Sequence, residues 1–369
     1  MRILVISNMY PSHEAPTFGI FVKNQVEALV KQGNHVDVAA ITNPKMGKKN
    51  VLHKYSTWLL QAGRGLLARK SSYDIVHAHY AFPSGMMARW FKRRFNIPYV
   101  VTCHGGDLNK MAKKGRFFRK QTERILQEAS HVIAVGRDLE EQVIHDFHVP
   151  KDKVSVFSMG VDQNVFHPRG SSVRSQLELS DNQKHVLYVG NIIEEKGIAD
   201  LVEALALLRQ HVPEVILHVV GQPKQAEYFA SLTRRIETLQ LSGHIHFHGA
   251  KPQSEVADWM SAADVFVLPS HTEGFGLVAV EAMACATPVV GTEVGGLTHL
   301  LSDGAGVAAE PKNPSSLADS IEQVLSNDVL RQRLIKAGQQ KAAANDAEQI
   351  TKNVLSIYKQ AQQKQGERQ

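Results

Sequence analysis

VFVLPSHTEGFGLVAVEAMACATPVVG, residues 265–291, reads as strand, loop, helix and strand in immediate succession. Val265–Leu268 is a short unbroken apolar run, the pattern of a strand buried on both faces of a parallel sheet. The loop after it carries Gly274 and Gly276, a helix begins near Phe275 or Gly276, and Pro288–Gly291 returns to strand character. A parallel pair of strands joined by a helix is the unit from which α/β folds are built.

The same alternation extends outward to both ends of the chain. In the first half the expected strands are Arg2–Ser7, His35–Ala40, Asp74–Ala78, Tyr99–Cys103, His131–Val135 and Val154–Phe157. In the second half they are His185–Val189, Val215–Val220, Ile245–His248, Val265–Leu268, Pro288–Gly291 and Gly306–Ala309. Helical patterns fill the gaps. Thr17 to Gln32, for example, places Ile20, Val22, Val26, Leu29 and Val30 near one face and stops before Gly33. The run of turn formers from Phe166 to Lys184 interrupts the rhythm and marks a linker. The expected architecture is α/β, with two doubly wound, Rossmann-like parallel-sheet domains facing a cleft. Residues 1–168 form the first, 169–345 the second, and 346–369 a C-terminal helix and polar tail that crosses back to the first. A ligand is expected beyond the carboxyl ends of the strands, where the two domains meet.

Composition agrees with two globular domains. The chain has 369 residues, 43% hydrophobic and 21% charged, which excludes a disordered or disulfide-stapled chain. The net charge of +6 is unevenly spread: residues 1–170 carry 25 Lys and Arg against 13 Asp and Glu, and residues 171–369 carry 17 against 23. Cys103 and Cys285 lie outside any C-x-x-C spacing, so neither a disulfide framework nor a zinc knuckle is expected. MRILVISNMYPS at the N-terminus reads as a buried strand rather than a secretory segment, and no apolar stretch approaches the ~20 residues of a membrane span. The expected compartment is the cytoplasm.

Residues 269–286 concentrate the chemistry. A helix start opened by glycine offers free N–H groups and a positive dipole end, which suit phosphate oxygens. Glu281, flanked by Val280, Ala282 and Met283, needs hydrogen-bond donors if it is buried, and a sugar diol supplies them. The same pattern also fits a Glu273 that caps the helix and a Glu281 that is simply exposed.

The E-x7-E pair Glu273/Glu281 in EGFGLVAVE, followed by TPVVGTEVGG, resembles the nucleotide-sugar site of retaining glycosyltransferases of family 4, which have the GT-B fold. The resemblance extends to NMYPSHEAPTFGIFVKNQ, VVTCHGGD, GVDQNVFHP, YVGNIIEEKG and HFHGAKPQSEVADWMSAADVFVLPS. It implies that Glu281 binds the ribose and Glu273 the hydroxyls of the donor sugar, while the helix start at Phe275, Gly276 and Leu277 contacts phosphate or sugar. Lys196 becomes the cation on the pyrophosphate, with Asn191 as a neighbour and Gly19 closing over the diphosphate. His104 lies against the donor sugar near the reaction centre, with Asp107 on the acceptor side. Two positions depart from the family pattern: Asn191 stands where Arg is common, which removes a bidentate cation, and Met159 where Asn is common.

The implied activity is transfer of a hexose from a nucleotide sugar, a UDP-sugar by expectation, to a hydroxyl of a glycan or lipid-linked acceptor, as in exopolysaccharide or cell-wall polysaccharide synthesis. No cofactor or metal is expected, since the chain lacks an Asp-x-Asp sequence and Lys196 supplies the positive charge. His244, His246 and His248 alternate on one expected strand without a carboxylate or Cys to complete a metal set, and they read as polar-face residues, as do His77 and His79. The basic, aromatic stretches 89–95 and 110–120 fit an anionic membrane surface, which would make the enzyme peripheral on the inner face of the cell membrane. They fit equally well solvated faces of amphipathic helices. Nucleic acid is not an expected partner, since no recognition motif accompanies the charge. A nucleotide-sugar epimerase and a non-enzymatic two-lobed sugar-binding protein are the alternatives on the same architecture. A nicotinamide-dependent oxidoreductase fits poorly, because the loop from Asn8 to Gly19 has no G-x-G-x-x-G.

Overall fold

A computed structural model describes residues 1–43, 58, 73–170 and 172–367. Ser171, within the expected linker, and the last two residues of the expected tail lie outside the described residues. The chain forms two compact units, Met1–Gly160 with Ala347–Gln369, and Val161–Asp346.

Each unit is built on a six-stranded sheet. The first unit holds β1 (Arg2–Ser7), β2 (His35–Ala40), β3 (Ile75–His79), β4 (Tyr99–Cys103), β5 (His131–Ala134) and β6 (Val154–Val156). The second holds β7 (Lys184–Val189), β8 (Val215–Val220), β9 (Ile245–Gly249), β10 (Val265–Leu268), β11 (Val289–Thr292) and β12 (Val307–Ala309). Every pair is parallel. The expected strands are all present, none displaced by more than one residue at either end. The α/β doubly wound fold is therefore as expected.

The strand orders are β2-β1-β3-β4-β5-β6 and β12-β11-β10-β7-β8-β9. In each sheet the direction of winding reverses once, between β1 and β3 in the first and between β7 and β10 in the second. At such a point the two adjacent loops leave the carboxyl ends of the strands in opposite directions and open a crevice between them. Lys196 and Glu273 lie in loops after β7 and β10, and Gly19 and His104 in loops after β1 and β4.

The central strands are buried because helices cover both of their faces. All of β3, β4, β8 and β10 is buried. One cover of the first sheet is the C-terminal helix Ala347–Gly366, whose Ile350, Val354, Ile357 and Tyr358 pack with Ile3, Val5, Ile75, Val100 and Ile133. This helix makes the first unit discontinuous in sequence.

The division between the units falls after Gly160 rather than after residue 168. Val161 and Phe166 are buried with Leu187, Trp259 and Phe266 in the core of the second unit, so the stretch that reads as a linker is already packed onto that unit. Counted by units, the first carries 28 Lys and Arg against 14 Asp and Glu, and the second 14 against 22. The charges are +14 and −8, a wider split than the halves of the sequence show.

Candidate active site

In the second unit the loops after β7 and β10 are pressed together by glycine. Gly197 has φ 67°, and a Cβ there would stand 1.8 Å from the carbonyl oxygen of Pro269. Only a residue without a side chain lets the loops approach so closely. His271 N donates to Glu195 O at 3.0 Å across the same seam, and His271 Nε2 meets Asp200 Oδ2 at 2.6 Å.

This approach brings Lys196 onto Glu273. Lys196 Nζ donates to Glu273 Oε2 at 2.6 Å, with the two side chains 27% and 14% exposed. Glu273 also accepts from Gly274 N at 3.1 Å and from Ser270 Oγ at 3.4 Å. It is therefore not the cap of the helix that follows. That helix, Leu277–Ala284, starts from Gly276 in the left-handed region (φ 92°), with no side-chain cap and no acidic residue in its first turn. Its first N–H groups and its dipole are left for another acceptor. Phe275 is half-buried against the core. Its backbone is held by Gly296, whose Cβ would stand 2.8 Å from Phe275 Cα and 2.4 Å from Gly274 O.

Glu281 lies on the same helix, half-buried among Ala279, Val280, Ala282 and Met283. Burial pushes its carboxyl up to about 8, so near neutral pH it holds its proton until a partner offers hydrogen bonds to the carboxylate. Asn191 is exposed, and its carbonyl accepts from Tyr188 Oη at 2.9 Å. No hydrogen bond among the described residues joins its side chain to Lys196.

In the first unit Gly19 opens the helix Ile20–Lys31 in the left-handed region (φ 73°), and a Cβ would stand 2.7 Å from the carbonyl of Met9. His104 follows β4. Its ring lies 4.9 Å from that of Phe21, 4.6 Å from Tyr80 and 5.4 Å from His79, and its Nε2 is 3.2 Å from His79 Nδ1. Burial lowers it to about 3, so it is neutral.

Asp107 has a different surrounding from the one the resemblance implies. It is 1% exposed, and its carboxylate accepts from Ala81 N at 2.9 Å, Gly105 N at 3.0 Å and His104 N at 3.2 Å. Three backbone donors occupy both oxygens, so Asp107 shapes the loop that carries His104. His77 and His79 are not polar-face residues: both are fully buried on β3, a central strand covered on the His77 side by Tyr358 of the C-terminal helix. An alternating His pattern signals a wet face only on an edge strand.

The histidines of β9 also belong to a larger set. His185 Nδ1 is 3.1 Å from His218 Nε2, and His218 Nδ1 is 3.1 Å from His248 Nε2. The rings of His218 and His248 lie 5.0 and 4.1 Å from that of Trp259. His246 stacks on His218, while His244 faces Val215 O at 3.3 Å. These contacts join three strands, so no single stretch of sequence reveals them. Among the described residues no group of three or more His, Cys, Asp or Glu could hold a metal ion.

The first basic stretch lies on helix Ser84–Phe95; the second spans the short helical turns Gly106–Met111 and Ala112–Lys114 and the start of helix Arg116–Glu128. Glu128 takes part of their charge: Arg89 donates to it through two nitrogens at 2.8 and 2.7 Å, and Arg93 joins them at 3.2 and 3.0 Å. Trp90 and Phe117 remain 48% and 62% exposed. No helix among the described residues is long and apolar enough to cross a membrane.

Two family descriptions cover nearly the whole chain: Glycosyltransferase Family 4 matches residues 19–165 and Glycosyl transferases group 1 matches residues 171–341. The chain is 30% identical to TuaC of Bacillus subtilis (strain 168), named for glycosyl transfer in teichuronic acid biosynthesis, over 87% of this chain and 88% of that one. Among solved structures, the sucrose-phosphate synthase of Thermosynechococcus elongatus superposes with a TM-score of 0.82 at 26% identity, covering 98% of both chains. Anabaena HepE in complex with UDP gives 0.80 at 20% identity over 98% of this chain and all of that one. With two doubly wound units and matches of this length, the chain belongs to glycosyltransferase family 4 and is a GT-B glycosyltransferase.

Proposed function

We propose that the protein is a retaining, metal-independent hexosyltransferase that uses a UDP-sugar as donor and a glycan or lipid-linked hydroxyl as acceptor. The observation that carries this reading is the Lys196–Glu273 pair, 2.6 Å apart, beside an uncapped, glycine-opened helix start at the switch point of the second sheet. A cation and free N–H groups suit a diphosphate, and the carboxylates of Glu273 and Glu281 suit sugar hydroxyls. Uridine is chosen because HepE is found with UDP and with UDP-glucose. Polysaccharide synthesis as the setting follows from the name of TuaC.

In the free protein Lys196 and Glu273 neutralise each other. A bound donor exchanges that pair for two others, its diphosphate on Lys196 and its sugar hydroxyls on Glu273. As the bond from the anomeric carbon to the β-phosphate oxygen breaks, charge grows on the phosphate, where Lys196 and the first N–H groups of helix Leu277–Ala284 offset it. The acceptor oxygen bonds the anomeric carbon on the face the phosphate is leaving, and its proton passes to a phosphate oxygen. The products are a glycoside of unchanged anomeric configuration and UDP. Incubation with UDP-hexoses and NMR of the anomeric proton tests this: retention is expected, and an inverted product would overturn it.

For the first unit we propose acceptor handling, with the helices Ser84–Phe95 and Arg116–Glu128 resting on an anionic membrane. Trp90 and Phe117 would enter the headgroup region beside Arg94, Lys120 and their basic neighbours.

A further inference from the structure

We infer that His79 is a positioning residue that fixes the tautomer of His104, so that His104 offers an N–H donor from Nδ1. The inference rests on the placement of His104 against the donor sugar that the resemblance to family 4 implies.

His79 is fully buried, and its Nε2 has no hydrogen-bond partner. The adjacent His77, with ring centroids 4.5 Å apart, cannot serve it. His77 Nδ1 is engaged by Tyr358 Oη at 2.6 Å and its Nε2 by Thr102 Oγ1 at 2.7 Å. A proton on His79 Nε2 would be a buried donor with no acceptor, which native structures avoid more strictly than an idle lone pair. The proton of neutral His79 therefore sits on Nδ1, where His104 Nε2 accepts it at 3.2 Å. A neutral imidazole has one donor and one acceptor. With Nε2 accepting, His104 carries its own proton on Nδ1, which has no partner among the described residues.

The surroundings hold this state. Phe21 and Tyr80 flank the His104 ring. The loop behind it is tied to Asp107 through His104 N and Gly105 N. Burial keeps both imidazoles neutral. His104 then acts as a fixed donor to an oxygen of the sugar and takes no part as a general base, in keeping with proton transfer to the leaving phosphate.

The test is long-range 1H–15N correlation of the full-length protein labelled with 15N-histidine, with His104 assigned by His104→Gln. The expected spectrum has His104 protonated on Nδ1 and unchanged from pH 6 to 8. His79→Leu is expected to release it to a mixture of tautomers and to lower kcat about tenfold. His79→Asn, whose amide can replace the Nδ1–H donor, is expected to restore both. A wild-type His104 protonated on Nε2, or a tautomer that His79→Leu leaves unchanged, would overturn the inference. If the tautomer is as inferred and His104→Ala transfers sugar at the wild-type rate, the positioning stands and the placement of His104 at the reaction centre fails.

Discussion

Glu281 illustrates how a residue proposed to bind ligand can cost stability. Its acid is raised from the ordinary 4.5 to about 8 by burial, so between these values the folded protein binds more protons here than the unfolded chain. By linkage, this group destabilises the fold progressively as pH rises through that window, and the loss is complete above about pH 8. Glu281→Gln removes the ionisation and keeps the shape. Its melting temperature in the absence of ligand should exceed that of wild type by an amount that grows from pH 5 to pH 8. The same variant should bind UDP at least tenfold more weakly, a loss of ~1.4 kcal/mol, if the ribose is its partner. A pH-independent difference in melting temperature would contradict the assignment of a carboxyl held protonated by the fold. Glu281 was legible as a candidate because a Glu amid small apolar residues is anomalous. The pairing of Lys196 with Glu273 was not, because it depends on Gly197 letting two loops distant in sequence close on each other.

Elements follow the sequence where burial is two-sided and depart from it where another element decides the environment. The strand Val265–Leu268 is apolar throughout and could be read directly. His77 and His79 alternate as on a wet strand, yet the C-terminal helix and the central position of β3 bury them both. That helix is held by a compact apolar face, and Ile357→Ala should cost ~2–4 kcal/mol through lost burial and the cavity left behind. Chemical denaturation measures it, and a change below 0.5 kcal/mol would mean the helix is not part of the cooperative first unit. On the basic side of the same unit, Trp90→Ala with Phe117→Ala removes two exposed rings without emptying the core. Sedimentation with vesicles of mixed phosphatidylcholine and phosphatidylglycerol should show several-fold weaker binding for the double variant. Equal binding would reduce the surface to solvated helix faces.

For the whole molecule, the two-unit division accounts for the charge better than the sequence halves do. Returning residues 347–369 to the first unit raises its charge to +14 and leaves the second at −8. An acidic unit proposed to bind a diphosphate would have to concentrate its cations locally, and in the proposed site Lys196 is that cation. The strands of the second unit could be read from the sequence to within one residue, because local pattern suffices for them. The crossing after Gly160 and the histidine set of β7, β8 and β9 were hidden, since each arises from contacts between distant segments. The most direct test of the central claim is calorimetric titration of UDP and of uridine into wild type and Lys196→Ala. The predicted result is UDP binding at least tenfold weaker in the variant, with uridine affinity unchanged. Equal UDP affinity in the two proteins, or no UDP binding by wild type, would contradict it.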